Sequence, residues 1–482
     1  MRTFFLRTIF INSIALLATC GIAGVASAQS STRTLRIVCY NIQDDTDGNT
    51  TPTCGLIVPY EGSGGTFGTD CTGTAINGGV LEGIGEEIIH GDPAQPIDVL
   101  ALEETTSNPT TVQPIVNALN GFYTMYNYLY ATPAGYAMSP YQATEEGNSP
   151  TSGNGPNALV YNTNTLQLLA SVGIATPTGS GNGMYRQCVR YEFAPAGVTP
   201  ATNNEFYVYV SHYKADSGQT YDQERWGEAK IIRNDESINV PANVGVLYVG
   251  DYNPDDNSIE PGYQTICSNT APDGIHQGWG IDPLNTNAAT NINWSVSTSN
   301  TNILFMLSEE GYKLRYRDDL QIMTSNVYYQ VGLGLHYVSG TYHSFGNNAQ
   351  TPWGDSVNLS GNTALNDLDP VKTNATGLNA AAVLEDLTGA SDHLPIVADY
   401  TIPVPSPFIT SLNLAGTNLV LTVANGITND LYVLYMSPSL AVPLPSWTAV
   451  ASNTATNGIF TFNATNAVAP AVPQSFYFLK GN

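Results

Sequence analysis

Along this chain short apolar runs alternate with polar stretches rich in Gly, Asn, Thr and Ser, and the spacing within the runs changes repeatedly. Residues 34–41 (TLRIVCYN) form a nearly continuous apolar run that closes on a polar tip, the pattern of a buried strand. A long polar loop over 42–78 follows. From 79 to 90, Val80, Ile84 and Ile88 recur at helical spacing, and 97–102 (IDVLAL) reads as a second buried strand. The pattern then predicts a helix over 111–119, a Tyr-rich strand over 122–130, and strands over 157–161, 166–173, 185–193 and 205–211. A helix is expected over 221–239, with Arg225, Glu228, Lys230 and Arg233 among its apolar positions, and a strand over 244–250. Beyond a polar insertion come a short helix near 302–310, strands around 320–324 and 331–338, a second insertion over 343–378, a last helix and the strand 396–400.

Many strands with a few intervening helices predict an α/β (α+β) domain of two packed sheets flanked by helices, with the insertions as loops over one face. Pro403, Pro405 and Pro407 stiffen a linker over 403–408. Over 409–482 charged residues nearly vanish, and short alternating strands carry Tyr432, Tyr435, Trp447, Phe460, Phe462 and Tyr477. A separate small all-β sandwich is expected there. It holds no acid, base or ligand cluster, which suits a spacer or a cell-surface association module.

The first 28 residues change the picture of location. Arg2 and Arg7 precede the mostly apolar stretch Ile9 to Val25, and Ala26-Ser27-Ala28 offers a cleavage site before Gln29. A signal peptide over 1–28 and a secreted or periplasmic domain over 29–402, exported in the bacterial manner, are the expectation. No later segment is long and apolar enough to span a bilayer. The 482 residues carry 15 Lys and Arg against 40 Asp and Glu, a net charge of −25 that deepens when Arg2 and Arg7 are removed. Such a surface repels polyanions at long range, so nucleic-acid binding would need a local basic patch or metal ions. Cys39, Cys54, Cys71, Cys188 and Cys267 remain, without the C-x-x-C spacing of a zinc site. One or two disulfides are expected, Cys54 with Cys71 first among them, and the odd count leaves at least one thiol free, with Cys39 a buried one.

Candidate chemistry gathers at strand ends. Ser391-Asp392-His393 sets a metal-seeking carboxylate beside the one side chain that titrates near neutral pH. Gly250-Asp251-Tyr252-Asn253, Leu102-Glu103-Glu104 and Tyr40-Asn41 each lie at or just beyond the C-terminal end of an apolar run. Polar tips on separate strands predict one assembled site. Asp44-Asp45-Thr46-Asp47-Gly48 looks calcium-friendly but lacks the distal Glu of an EF-hand loop, so it is read as a polar turn or a structural Ca²⁺ site. Lys313, Arg315 and Arg317 would share one face if that stretch were extended.

In order along the chain, IVCYNIQ, DVLALEE, VYVSHYKA, VLYVGDYN, RDDLQIMTS and SDHLPI make residues 34–402 resemble the endonuclease/exonuclease/phosphatase superfamily of metal-dependent phosphoesterases. The resemblance implies a four-layer α/β sandwich around two central mixed sheets. It implies Glu104, Asp392 and Asn41 as ligands of Mg²⁺ or Mn²⁺, and His393 as the base, oriented by Asp319. Asp251 and Asn253 would position the water and the phosphate. His212 would stabilise the transition state, as in the branch of pancreatic-type deoxyribonucleases, sphingomyelinases and inositol-phosphate phosphatases. Arg186, with Arg190 as competitor, and Asn157 are the substrate-contacting candidates. Glu103 stands where the family more often has Gln. The implied activity is phosphodiester hydrolysis on DNA or RNA. Alternatives are a sphingomyelinase-like phospholipase C, an inositol-phosphate or phosphomonoester phosphatase, and a non-catalytic surface-binding protein.

Overall fold

The computed structural model describes residues 31–481 except 44–55, 57–78, 131, 146–154, 179–182, 255–257, 269–277, 289, 295–302, 312, 351–353, 405–406, 427–430, 440, 456–458 and 467–475. The chain divides into two compact units. One is Thr34–Ala194 with Ala201–Ile402, and the other is Pro403–Asn482 with Pro195–Pro200 and the residues up to Arg33.

In chain order the first unit is built from β1 (Ser31–Asn41), α1 (Val80–Glu86), β2 (Val99–Glu103), α2 (Gln113–Tyr126), β3 (Tyr136–Met138), β4 (Ala158–Asn162) and β5 (Leu166–Ile174). There follow β6 (Cys188–Pro195), β7 (Phe206–His212), α3 (Gln219–Asn239), β8 (Gly245–Asp251), α4 (Pro261–Cys267), β9 (Gly280–Ile281) and β10 (Asp319–Thr324). It closes with α5 (Ser325–Tyr328), β11 (His336–Tyr337), β12 (His343–Ser344), α6 (Pro370–Thr376), α7 (Ala380–Ala390) and β13 (Ile396–Val404). One sheet has the order β11-β13-β1-β2-β4-β3, with β12 also on β13; the other has the order β5-β6-β7-β8-β10-β9. Both are mixed: β1 and β2 are parallel, as are β7 and β8, whereas β2–β4 and β8–β10 are antiparallel.

Alternation of side chains assigns the layers. Leu35, Ile37, Cys39, Val99 and Ala101 pack against Val208, Val210, Leu247 and Val249 of the other sheet. Their neighbours Val38, Tyr40, Leu100 and Leu102 belong to a second core with Ile84, Ile115, Leu119 and Leu387 of the helices. Tyr209 and Tyr248 likewise meet Ala229 and Ile232 of α3. The unit is therefore a helix–sheet–sheet–helix sandwich, each buried aliphatic side chain contributing about 1.5–3 kcal/mol. A buried ion pair ties the first two layers together. Arg36 on β1 donates from Nε and Nη2 to the Asp399 carboxylate at 2.9 and 3.0 Å, and from Nη1 to the Ile84 and Glu87 carbonyls of the α1 region at 2.6 and 3.0 Å.

Several expectations are corrected. Residues 122–130 are not a strand: α2 runs through Tyr126, with Phe122, Tyr123 and Tyr126 buried and the Phe122 ring meeting Tyr123 edge-on and Tyr126 at a tilt. The helix near 302–310 shrinks to one 3-10 turn, Leu304–Met306, and the strand expected over 331–338 to His336–Tyr337. Lys313 and Leu314 take positive φ angles of 56° and 52°, so the basic run is not extended. Arg317 turns inward to a bidentate pair with Asp282, at 2.7 and 2.9 Å. Pro403 lies inside β13 rather than in a linker.

The second unit carries β14 (Phe408–Ala415), β15 (Asn418–Ala424), β16 (Leu431–Ser437), β17 (Thr448–Thr454), β18 (Phe460–Ala464) and β19 (Phe476–Gly481). Two antiparallel sheets, β14-β15-β18 and β17-β16-β19, face each other across Leu419, Leu421, Phe460, Phe462, Tyr432, Leu434 and Tyr477. It is the small all-β sandwich that the alternation predicts.

Candidate active site

Register brings the polar tips to one edge. Asn41 pairs with Glu103 across β1 and β2, His212 with Asp251 across β7 and β8, and Asp251 with Asp319 across β8 and β10. His393 precedes β13, so this tip is not at or just beyond a C-terminal end as expected; Asp319 opens β10. For Asp319, the antiparallel pairing of β10 with β8 places it at the shared edge. Ser391 holds His393 there: its Oγ donates to the Asn41 carbonyl at 2.6 Å and accepts the His393 N–H at 3.0 Å.

At the centre, His393 Nδ1 lies 2.8 Å from Asp319 Oδ2. Nε2 faces Asn41 Nδ2 at 3.5 Å, Asp392 Oδ1 at 3.6 Å and Asp251 Oδ2 at 3.9 Å. Burial disfavours charge on the ring, but Asp319, Asp251 and Asp392 outweigh it and hold the His393 pKa well above the usual histidine range. Asn41 donates from Nδ2 to Glu104 Oε1 at 3.1 Å and to Asp251 Oδ2 at 3.0 Å. Its Oδ1 accepts the Gln43 N–H at 3.1 Å.

His212 is 1% exposed, with Nε2 3.4 Å from Asp251 Oδ2 and 3.7 Å from Glu104 Oε1. Burial, then the charges of Arg186, His393 and Lys214, push its pKa well down and favour the neutral imidazole. Asp251 moves the other way. Burial raises its pKa, with Asp319 and Glu104 adding to the shift against the pull of His393. The strand-end backbone is unusual where these groups meet: Glu104 has φ 58°, Asn253 φ 42° and Gly250 φ 131°.

The other candidates fall into place unevenly. Asp319, not Asp318, meets His393; Asp318 instead hydrogen-bonds the buried Glu309 carboxyl, and burial raises the pKa of both. Asn253 accepts nothing from the cluster: its N–H donates to Asp251 Oδ1 at 2.9 Å and its amide to the Tyr213 carbonyl at 3.3 Å. Arg186 is nearly buried, 3.3 Å from Glu145 and donating to the Tyr213 carbonyl at 2.8 Å. Arg190 pairs with Asp235. The Asn157 amide nitrogen donates to the Gln187 and Val210 carbonyls at 3.0 and 3.3 Å, a tie between the sheets rather than a free donor. Cys39 is a buried free thiol, as expected; Cys188 and Cys267 are also free and buried. The Cys54–Cys71 pairing, the Asp44–Gly48 turn and the signal segment lie outside the described residues.

Sequence reasoning missed Gln43, whose Nε2 donates to Asp392 Oδ2 at 2.9 Å, and Ser308. Ser308 Oγ accepts the Asp319 N–H at 3.0 Å while its carbonyl accepts the Leu394 N–H at 2.6 Å, so one residue fixes both halves of the His–Asp pair. Gln43 sits inside the quoted run IVCYNIQ and could have been read there; Ser308 closes the apolar run Ile303–Leu307, where nothing in the sequence marks it.

No known family model matches the sequence, and no curated protein matches it. Solved structures do. The human Nocturnin catalytic domain with bound sulfate is 15% identical, covering 77% of this chain and 97% of that one, with TM-score 0.38. An endonuclease/exonuclease/phosphatase from Beutenbergia cavernae is 12% identical over 93% and 100%, with TM-score 0.34. A D. rerio TDP2 complexed with single strand DNA product is 13% identical over 76% and 98%, with TM-score 0.35. The chain is similar to endonuclease/exonuclease/phosphatase proteins. At these identities and TM-scores the likeness carries no weight for activity, which has to be argued from the side chains of this chain.

Proposed function

We propose that this chain is an exported, divalent-metal-dependent phosphoesterase whose preferred substrate is a nucleic-acid phosphodiester. The observation that carries the reading is the His393–Asp319 pair, which aims Nε2 at the Asp251 carboxylate on the end of β8 and at the neighbouring Asp392. The donor set suits a hard cation. Glu104 and Asp392 offer carboxylate oxygens, and a turn of the Asn41 amide would offer Oδ1. Glu104, His212 and Asp251 also present ligand atoms within 4.8 Å of one another. Crowded buried carboxylates are costly without a compensating positive charge. A Mg²⁺ or Mn²⁺ ion held by Glu104, Asp392 and Asn41 would neutralise those carboxylates, release His393 to its basic form and stabilise charge on phosphate.

His393 Nε2 then takes the proton of the attacking water while Asp319 keeps Nδ1 protonated and the ring oriented. Asp251, bonded by Asn41, orients that water. Neutral His212 has an N–H to offer the oxygen that departs, and the Asn253 amide suits a non-bridging phosphate oxygen. A membrane-phospholipid reading gains no support from the exposed apolar residues Tyr329, Val331 and Leu333. They follow α5, beyond the end of β10 opposite Asp319.

Thermal unfolding of the chain from Gln29, with Mg²⁺, Mn²⁺ or Ca²⁺ and with EDTA, tests the cation requirement. The midpoint should rise by about 3 °C or more in wild type and not in Glu104→Ala. No shift with any of the ions would contradict the reading.

A further inference from the structure

Two loops beside the site are fastened to α3 by a clamp that catalysis does not use. The buried Glu228 carboxylate accepts the Tyr185 N–H on Oε1 and the Lys214 N–H on Oε2, each at 3.0 Å. Arg225, fully buried and paired with Glu260 at 2.7 Å, donates to the Lys214 and Asp216 carbonyls at 2.9 and 2.8 Å. Arg186, the residue after Tyr185, donates to the carbonyl of Tyr213, the residue before Lys214. Tyr185-Arg186 and Tyr213-Lys214 are thereby locked side by side.

What the clamp presents is a positive charge. Lys214 Nζ lies 5.4 Å from the centre of the Tyr185 ring and 5.1 Å from that of Tyr221, so two aromatic faces hold the ammonium in place. Among the described residues several other basic side chains are spent in ion pairs, including Arg36 with Asp399, Arg190 with Asp235, Arg317 with Asp282 and Lys372 with Asp369. Among the described residues the one carboxylate paired with Lys214 is Asp216, at 3.3 Å, and it is 62% exposed. Such a surface pair is worth little and yields readily to a stronger anion. His212, two residues earlier, is 1% exposed, whereas the Lys214 side chain is 19% exposed. The ammonium is thus more accessible than the imidazole two residues before it, and close enough for its charge to be felt at the ring.

We infer that Lys214, backed by Arg186, forms an anion subsite for a second phosphate next to the one being cleaved, which selects polynucleotides over single-phosphate esters. This rests on the phosphoesterase reading above. A phosphate displaces Asp216 from Lys214 and is held by a charge-assisted bond to an ammonium whose position is already fixed.

The test compares bis(p-nitrophenyl) phosphate, with one phosphate, and a single-stranded oligodeoxynucleotide, in wild type, Lys214→Gln and Asp216→Asn. Lys214→Gln should raise the KM for the oligonucleotide about tenfold more than that for the small ester, with kcat little affected. It should also reduce the slope of log KM against log salt by about 0.7, one phosphate contact on a single strand. Asp216→Asn should lower the oligonucleotide KM. Equal effects of Lys214→Gln on both substrates, or no preference of the wild type for the oligonucleotide, would overturn the subsite. Failure of the wild type to cleave the small ester with any divalent ion would overturn the phosphoesterase reading itself.

Discussion

Asp319 Oδ2 lies 2.8 Å from His393 Nδ1, and neither side chain is more than 9% exposed. That contact fixes which ring nitrogen faces the cluster, and it is a main reason the His393 pKa stands high. Replacing Asp319 with Asn keeps the shape and removes the charge. The variant should lose about 10²–10⁴ in kcat. The acid limb of its pH–rate profile should move to lower pH, because the imidazolium has lost its nearest carboxylate. An unchanged limb would show that Asp319 does not tune the ring.

Gly250 allows the strand end that carries Asp251. A Cβ there would stand 2.0 Å from the Ser211 carbonyl oxygen and 2.9 Å from Glu103 Oε1, at φ 131°. Gly250→Ala should cost about 3 kcal/mol or more, read as a lower urea midpoint. A loss below roughly 1 kcal/mol would mean that the β7–β8 edge is not the rigid frame described.

How far was this legible from the chain? The strands were, because the runs at 34–41, 97–102 and 244–250 are buried on both faces and nearly continuous. The polar tips Asn41, Glu104, Asp251 and His393 were legible because each interrupts or borders such a run. Legibility failed where tertiary contacts decide. Phe122, Tyr123 and Tyr126 look strand-like by composition, yet they are buried within α2, where the Phe122 ring meets the other two. Lys313 and Arg317 are separated by the positive φ at Lys313 and Leu314 and by the attraction of Asp282, which lies in another segment. The choice between Asp318 and Asp319 also needed the structure: adjacent side chains point opposite ways, one to Glu309 and one to His393.

His343 supplies a pH-dependent tie away from the site. Its Nε2 lies 2.9 Å from Glu87 Oε1 and its Nδ1 2.8 Å from the Thr341 carbonyl. Burial opposes the charge, but Glu87 and the Thr341 carbonyl outweigh it and raise the pKa from 6.5 to about 9. The folded pKa is the higher one, so the stabilisation is complete below pH 6.5 and is lost as pH rises to about 9. Unfolding midpoints for His343→Gln and wild type should differ most near pH 6 and converge above pH 9. A constant difference would refute the tie.

Glu103 is fully buried with no hydrogen bond to either oxygen among the described residues, and burial, with Asp319 and Asp251, raises its pKa well above the carboxylate range. Ionising it therefore opposes folding. In EDTA, Glu103→Gln should unfold at a higher temperature than wild type at pH 8, with the gap narrowing toward pH 4. A lower midpoint at pH 8 would show that the ionised carboxylate has a partner.

The most direct measurement incubates supercoiled plasmid and Mg²⁺ with the wild-type chain from Gln29 and with His393→Ala, each with and without EDTA. Nicking by wild type alone, abolished by EDTA and reduced at least about 100-fold in His393→Ala, is the predicted result. Nicking that persists undiminished in His393→Ala would contradict the assignment of the base on which the account turns.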